Sequence, residues 1–237
     1  MNKPFEQIVF GYAETVRPGE LVLVEYTSRE PVYLLLYEVI EYVRLNEMPF
    51  VIVDVLDGLH VMKTHLRLAG IDTAPLDNAP VIKVRGNMQV GNILVRIDEL
   101  AELPILKRQF MEALRRIETG TRSKPLLRII VGATEFLQQL EVDPMKKEEF
   151  LAGIIRPIVG APYTRGLVLV NRKRIMRETL GELEEVSTRV LSMGMEDGKL
   201  SIRVMKSVYF DEYGAEVDFN PGDMGSLSQG VKANGHK

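Results

Sequence analysis

The sequence predicts an α/β fold of three layers, with a mostly parallel sheet at its centre and a C-terminal antiparallel hairpin. Three observations carry that expectation. Short apolar runs, at residues 21–24, 50–53 and, interrupted by Arg128 alone, 126–131, are the pattern of strands covered on both faces. Longer stretches with apolar residues at helical spacing lie between them. Beyond residue 186 the pattern turns β-rich on either side of Asp197-Gly198, a strong two-residue hairpin signal.

The elements follow in order. Residues 21–24 come after the Pro18-Gly19 turn and read as the first buried strand. Residues 31–46 place Val32, Leu35, Leu36, Val39, Ile40 and Val43 on one helical face, and Pro31 suits a first turn. A strand at 50–53 follows the breaker Met48-Pro49, and a helix over 58–69 ends at Gly70. Strands at 81–84 and 93–97 flank a turn at Arg85-Gly86-Asn87. Residues 100–117 are strongly amphipathic, 126–131 form a strand after Lys124-Pro125, and 167–170 are the last run apolar throughout. Residues 186–195, 200–210 and 216–219 read as the closing antiparallel strands. Residues 1–219 are expected to form one domain. Residues 220–237 are Gly/Ser-rich and cannot bury enough surface to offset their ordering entropy. They read as a flexible tail, with a segment that folds onto a partner as the alternative.

Composition narrows the function classes. A hydrophobic fraction of 46% with 27% charged residues is that of a globular chain with a sizeable core. A net charge of -3 argues against a chain-wide basic footprint for nucleic acid. Without cysteine, disulfides, a thiol nucleophile and thiolate metal sites are excluded. No run has the roughly 18 apolar residues of a membrane span, and the first residues lack an apolar signal core, so a cytoplasmic protein is expected. Plentiful Lys, Arg and Glu with few Asn and Gln resemble a thermophile pattern.

Four phrases carry a family resemblance: Pro18-Gly-Glu-Leu-Val-Leu-Val24, Phe50-Val-Ile-Val-Asp54, His65-Leu-Arg-Leu-Ala-Gly-Ile-Asp72, and the segment from Leu183 to Lys206. Together, over about residues 5–219, they resemble the KaiC/RecA-like ATPase domain. More narrowly, the chain looks like a small uncharacterised family of KaiC-like proteins from hyperthermophilic Thermococcales archaea. The resemblance implies a RecA/KaiC-like core and a phosphate loop after the first strand.

The chain departs from the family where the chemistry should be. A working loop reads G-x-x-x-x-G-K-[ST], whose amides wrap phosphates while Lys and a hydroxyl serve charge and magnesium. Here that stretch is Glu25, Tyr26, Thr27, Ser28, Arg29, Glu30, Pro31, Val32 and Tyr33. Val32 stands at the Lys position and Tyr33 at the hydroxyl position; Pro31 removes an amide donor, and two glutamates oppose a triphosphate. The strand at 126–131 runs into Gly132-Ala133-Thr134 instead of an Asp, with Glu135 the nearest carboxylate. After the second strand the chain has Asp54 and Asp57. Magnesium-ATP hydrolysis is therefore not expected, nor is any cofactor, metal or catalytic residue.

Other constellations weigh less. Asp54 and Asp57 could hold a metal or act as a base, but Asp57 before Gly58 is favoured as a helix cap. His60 and His65 are five apart, so their rings diverge and a metal site is disfavoured. Arg172, Lys173 and Arg174, with Arg177, form the densest basic cluster. They could contact an anion or nucleic acid, or form a solvated strand end balanced by Glu178, Glu182, Glu184 and Glu185. Lys107-Arg108 with Arg115-Arg116 read as a wet helix face. Tyr26, Tyr33, Tyr37 and Tyr42 either fill the space left by a nucleotide or present a surface to a peptide.

The favoured expectation is a non-catalytic binding or regulatory protein. Its partner would be a protein or peptide, including another copy of itself or an active KaiC/RecA-like relative. Two alternatives stay open: an atypical nucleotide-binding ATPase using Arg29, Asp54 and Glu135, and a RecA-like accessory touching nucleic acid through Arg172, Lys173 and Arg174.

Overall fold

Nine strands make one sheet, ordered β4-β3-β2-β5-β6-β1-β7-β8-β9. They are β1 (Leu21–Tyr26), β2 (Phe50–Val55), β3 (Pro80–Val84), β4 (Asn92–Ile97), β5 (Leu126–Val131), β6 (Thr164–Asn171), β7 (Arg189–Glu196), β8 (Lys199–Lys206) and β9 (Glu216–Phe219). Every pairing from β4 to β7 is parallel, and β8 and β9 add on antiparallel. The computed structural model describes residues 5–98, 103–120 and 124–221. The predicted tail, beyond residue 221, lies outside the described residues.

Two apolar layers sandwich the sheet, and strand alternation decides which residue joins which. Val22, Val24, Ile52, Ile129 and Leu169 pack with α1 (Phe5–Thr15), α2 (Val32–Leu45), α3 (Gly58–Leu68) and α4 (Ala74–Asp77). Leu21, Leu23, Val51, Val53 and Val168 face the other way, toward α5 (Leu103–Gly120), α6 (Ala133–Leu140), a π-helical turn at Leu151–Ile155 and α8 (Arg177–Val186). Helix α7 (Pro144–Phe150) precedes that turn, capped by the Asp143 carboxylate on the amides of Met145 and Lys146. Each fully buried Leu, Ile or Val contributes roughly 1.5–3 kcal/mol relative to an exposed one, so the double alternation is the main source of cohesion.

The topology positions the site. Neighbouring strands β1 and β6 feed helices on opposite faces, α2 and α8, and β2 and β5 likewise feed α3 and α6. Such junctions, at strand C-termini, are where open α/β sheets place ligands.

The strand and hairpin expectations hold, with Asp197 (φ 48°) and Gly198 (φ 77°) both left-handed, as the tightest hairpin turn requires. Two boundaries of the closing strands move. The strand expected from 186 begins at Arg189, because Ser187 still donates to the Leu183 carbonyl and ends α8. The strand expected to reach 210 stops at Lys206, where the Ser207 hydroxyl accepts from the Tyr209 amide and turns the chain into a 3₁₀ turn at Phe210–Glu212. Helices α1, α6, α7 and α8 had no counterpart in the reading of the sequence; at seven to eleven residues they are too short for periodicity alone to reveal.

At the N-terminal edge of the sheet the fully buried Arg189 joins four chain segments. Its guanidinium donates to Glu20 Oε2 (2.6 Å), Thr15 Oγ1 (2.7 Å) and the Thr15 carbonyl (2.9 Å). It lies between the rings of Tyr12 and Tyr209, 5.0 and 4.8 Å from their centroids. Replacing Arg189 by Met should cost about 3–5 kcal/mol in urea unfolding, because Glu20 is left buried without its cation. Arg189→Lys should recover only part, since an ammonium cannot reach Thr15 and Glu20 together.

Candidate functional site

The loop between β1 and α2 folds in on itself. Thr27 donates its amide to the Glu30 carboxylate, Arg29 donates to Thr27 Oγ1 (3.2 Å), Glu30 to the Thr27 carbonyl (3.3 Å) and Val32 to the Glu30 carbonyl (2.8 Å). Amides that a phosphate loop aims outward are thus used within the turn. The Glu30 carboxylate, 8% exposed, acts as the turn's own anion. Ser28 and Arg29 are exposed, and Ser28 Oγ accepts from Asn171 Nδ2 (3.1 Å), which ties the loop to the end of β6. Pro31 occupies the cap position of α2 and offers no side-chain hydrogen bond, while Val32 is buried in the helix. The Tyr33 ring is half-buried and meets His65 edge-on at 5.3 Å.

Asp54 and Asp57 surround a cation supplied by the chain. Lys83 Nζ lies 2.6 Å from Asp54 Oδ2 and 2.5 Å from Asp57 Oδ1, with Lys83 and Asp54 fully buried. The pair is set by sheet register, which places Asp54 opposite Lys83 on parallel strands β2 and β3. Asp57 also accepts from the amides of Asn87 (3.0 Å) and Met88 (2.9 Å). Burial works against its ionisation, yet the Lys83 ammonium and those two amides outweigh it and hold the carboxyl below its usual range.

The expectation that Asp57 caps α3 is corrected. Asp57 stands at the cap position in a left-handed conformation, φ 64°, with its carboxylate turned to Lys83. The carboxylate that accepts from the first turn is that of Asp54, from the Leu59 amide at 2.9 Å. A buried ammonium competes for Asp57 more strongly than a helix amide does.

Across the β2–β5 junction the backbones touch. Gly132, at φ 74°, leaves the room taken by the Val55 carbonyl, and a Cβ on Gly58 would lie 2.8 Å from Gly132. The neighbouring turn thus fills the space that a side chain at Gly132 would need. Glu135 sits one turn on and pairs with Arg174 at 2.5 Å. Among the described residues no three His, Asp or Glu side chains gather as a metal set.

The basic cluster is divided between tasks. The half-buried Arg172 donates to the carbonyls of Glu25 (3.1 Å) and Met193 (3.0 Å), joining β1 to β7. Arg174 pairs with Glu135, and Lys173 is exposed. The expected balancing acids are placed differently, since Glu178 and Glu182 approach Lys147 instead. Tyr26 is half-buried beside Thr134; burial and the nearby Glu135 raise its phenol, against the hydrogen bond from Thr134 and the charge of Arg174.

Glu25 is the unbalanced member. Its carboxyl is buried on the α5–α8 side of β1, with Oε1 lacking any donor. Burial first, then the facing Glu184 of α8, push it up to about 7, against the opposing charge of Arg172. The two carboxyls can hydrogen-bond only with a proton between them.

A family model described as "Pyrococcus protein of unknown function, DUF257" matches residues 11–218. The chain belongs to the DUF257 family. A Pyrococcus horikoshii OT3 protein, PH0250, superposes on the DUF257 chain with a TM-score of 0.72 and 26% identity, over 93% of this chain and 98% of its own. A second P. horikoshii protein, PH0321, was crystallised in complex with an unknown peptide; it superposes at 0.61 with 13% identity, covering 85% of this chain and 89% of its own. A KaiC-like protein from P. horikoshii OT3, PH0186, superposes at 0.56 with 13% identity, covering 86% of each. No curated protein matches. The KaiC-like archaeal resemblance and the KaiC-like fold are thus both established for the DUF257 chain.

Residues that the sequence reading passed over include Lys83, Thr134, Asn171 and the pairing of Glu25 with Glu184. Lys83 carried a signal, as a lysine inside an apolar strand needs a buried carboxylate on a neighbour. The others have no sequence mark.

Lys83→Met should destabilise the fold by about 3–5 kcal/mol in urea, and adding Asp54→Asn should restore a measurable part, since it removes the stranded charge. For Glu25 the raised value means the folded state holds the proton more tightly. Its stabilising contribution is fully present below about 4.5 and lost as the pH rises through about 7. Glu25→Gln, which stays neutral, should flatten that decline when unfolding free energies are compared across the window.

Proposed function

We propose that this chain is a binding or regulatory protein on a KaiC/RecA-like frame, which does not hydrolyse nucleotide and engages a protein or peptide partner. The observation that carries this reading is the inward-turned loop: the amides of Thr27, Arg29, Glu30 and Val32 all bond to acceptors on Thr27 and Glu30. A triphosphate would have to displace the Glu30 carboxylate and approach a turn that offers it no lysine. Asp54 and Asp57 are committed to Lys83, so a magnesium ion would have to compete with a buried ammonium. The nucleic-acid alternative draws little support, since Arg172 and Arg174 are engaged by backbone carbonyls and Glu135.

The peptide found with PH0321, a protein of the same fold, favours a peptide or protein partner for this chain too. Exposed Phe210 (88%) and Tyr213 (50%), whose rings stack at 6.4 Å, offer aromatic surface of the kind that interfaces use. The partner would be a peptide, a second copy of the chain or an active relative. Among the described residues no helix is long and apolar enough to cross a membrane.

Thermal-shift and calorimetric titration with magnesium-ATP decide the nucleotide question. A ligand at 100 times its Kd stabilises a fold by about 2.7 kcal/mol, well within detection. The expected result is no saturable heat and no shift; micromolar binding would return the chain to the nucleotide-binding class. A peptide-display selection should yield binders weakened by Phe210→Ala.

A further inference from the structure

The connection from β8 to β9 holds two aromatic rings out of the fold. Phe210 is 88% exposed and Tyr213 half exposed, and their rings stack at 6.4 Å with planes 18° apart. This exposure does not come from a slack loop. The Ser207 hydroxyl donates to Glu212 Oε2 (2.6 Å) and accepts from the Tyr209 amide (3.0 Å). The amides of Glu212 and Ala215 close successive turns on the carbonyls of Tyr209 and Glu212, and Gly214 donates to the Val204 carbonyl (3.0 Å). Tyr209 is anchored too: its hydroxyl reaches Glu20 Oε1 (3.2 Å), and the guanidinium groups of Arg17 and Arg189 each lie 4.8 Å from its ring centroid.

Residues 207–218 carry four carboxylates, Asp211, Glu212, Glu216 and Asp218, and no base. Nearby cations are mostly engaged. Arg17 and Arg189 serve Tyr209, Lys206 donates to the last carbonyls of α8, and Arg203 stands exposed opposite Glu216. Asp211, exposed and placed between Phe210 and Tyr213 in the chain, has no ion pair among the described residues.

We infer that the Phe210–Tyr213 pair and its carboxylates form the docking site for an arginine-bearing peptide segment, an inference that rests on the peptide-binding reading above. The carboxylates decide the class of partner. They repel the phosphates of nucleic acid or anionic lipid, and a purely apolar segment would strip them of water without replacing it. A guanidinium satisfies both features, since its plane lies on an aromatic face and its fork donates to a carboxylate. Tyr209 has this chemistry supplied from within, by two arginines; among the described residues the neighbouring pair has no cation over it. A loop already held in shape loses little further freedom on binding.

Selection of a random dodecapeptide display library against the full chain at low salt tests the inference. Arginine-enriched binders are expected, and replacing their arginines by citrulline should abolish binding. Phe210→Ala should raise their Kd about thirty-fold, the scale of a hot-spot residue, and Asp211→Asn about three-fold, with Tm unchanged because both side chains are exposed. Binders that need Phe210 but show no excess of arginine would overturn the inference and leave the peptide-binding reading intact. Binders indifferent to Phe210 would do the same, and an absence of binders would overturn both. A wild-type dimer dissolved by Phe210→Ala would assign the surface to a second copy instead, and a lowered Tm would assign the ring to the fold; either result overturns the inference.

Discussion

The charge of Lys83, held without any solvent contact between Asp54 and Asp57, is the constraint on which the C-terminal edge of the sheet depends. An ammonium in that position is tolerable only with carboxylates in direct contact. This fixes the β2–β3 register, because a slip of one residue would turn Lys83 to the opposite face, away from Asp54. The same two carboxylates then reach further. Asp54 fixes the first turn of α3 through Leu59, and Asp57 fixes the turn after β3 through Asn87 and Met88. One buried cation therefore organises two strands, a helix start and a turn.

Self-neutralisation recurs at other points. Glu30 supplies an anion to the amide of its own loop, and Arg189 supplies a cation to Glu20 at the opposite end of the sheet. An edge that binds a metal and a triphosphate leaves charges and amides waiting for them. An edge whose charges are already matched inside the chain is rigid, and each match must be broken before a polar ligand can enter. On the reading proposed above, the frame has kept its geometry and the exchangeable ions have been replaced by side chains.

Glu25 shows what happens where matching is incomplete. It faces Glu184 with Arg172 as the nearest opposing charge, and the Arg172 guanidinium is already shared between two carbonyls. A proton takes the place of a cation, so this part of β1 responds to pH in the neutral range, unlike Asp57 with its dedicated ammonium.

Much of the fold was legible because its causes are local. Runs apolar at nearly every position require cover on both faces, Asp197-Gly198 requires a tight reversal, and the absence of glycine and lysine between Glu25 and Tyr33 is visible in the chain itself. The destination of each charged side chain was not legible. Asp57 looked like a helix cap until Lys83 was placed beside it by strand register, and Arg172 looked like a surface cation until β1 and β7 brought two carbonyls to it. Sequence determined the layers, because burial alternates residue by residue along each strand. Tertiary structure alone decided the ion pairs, because Coulombic partners depend on residues tens of positions apart meeting within a few ångströms.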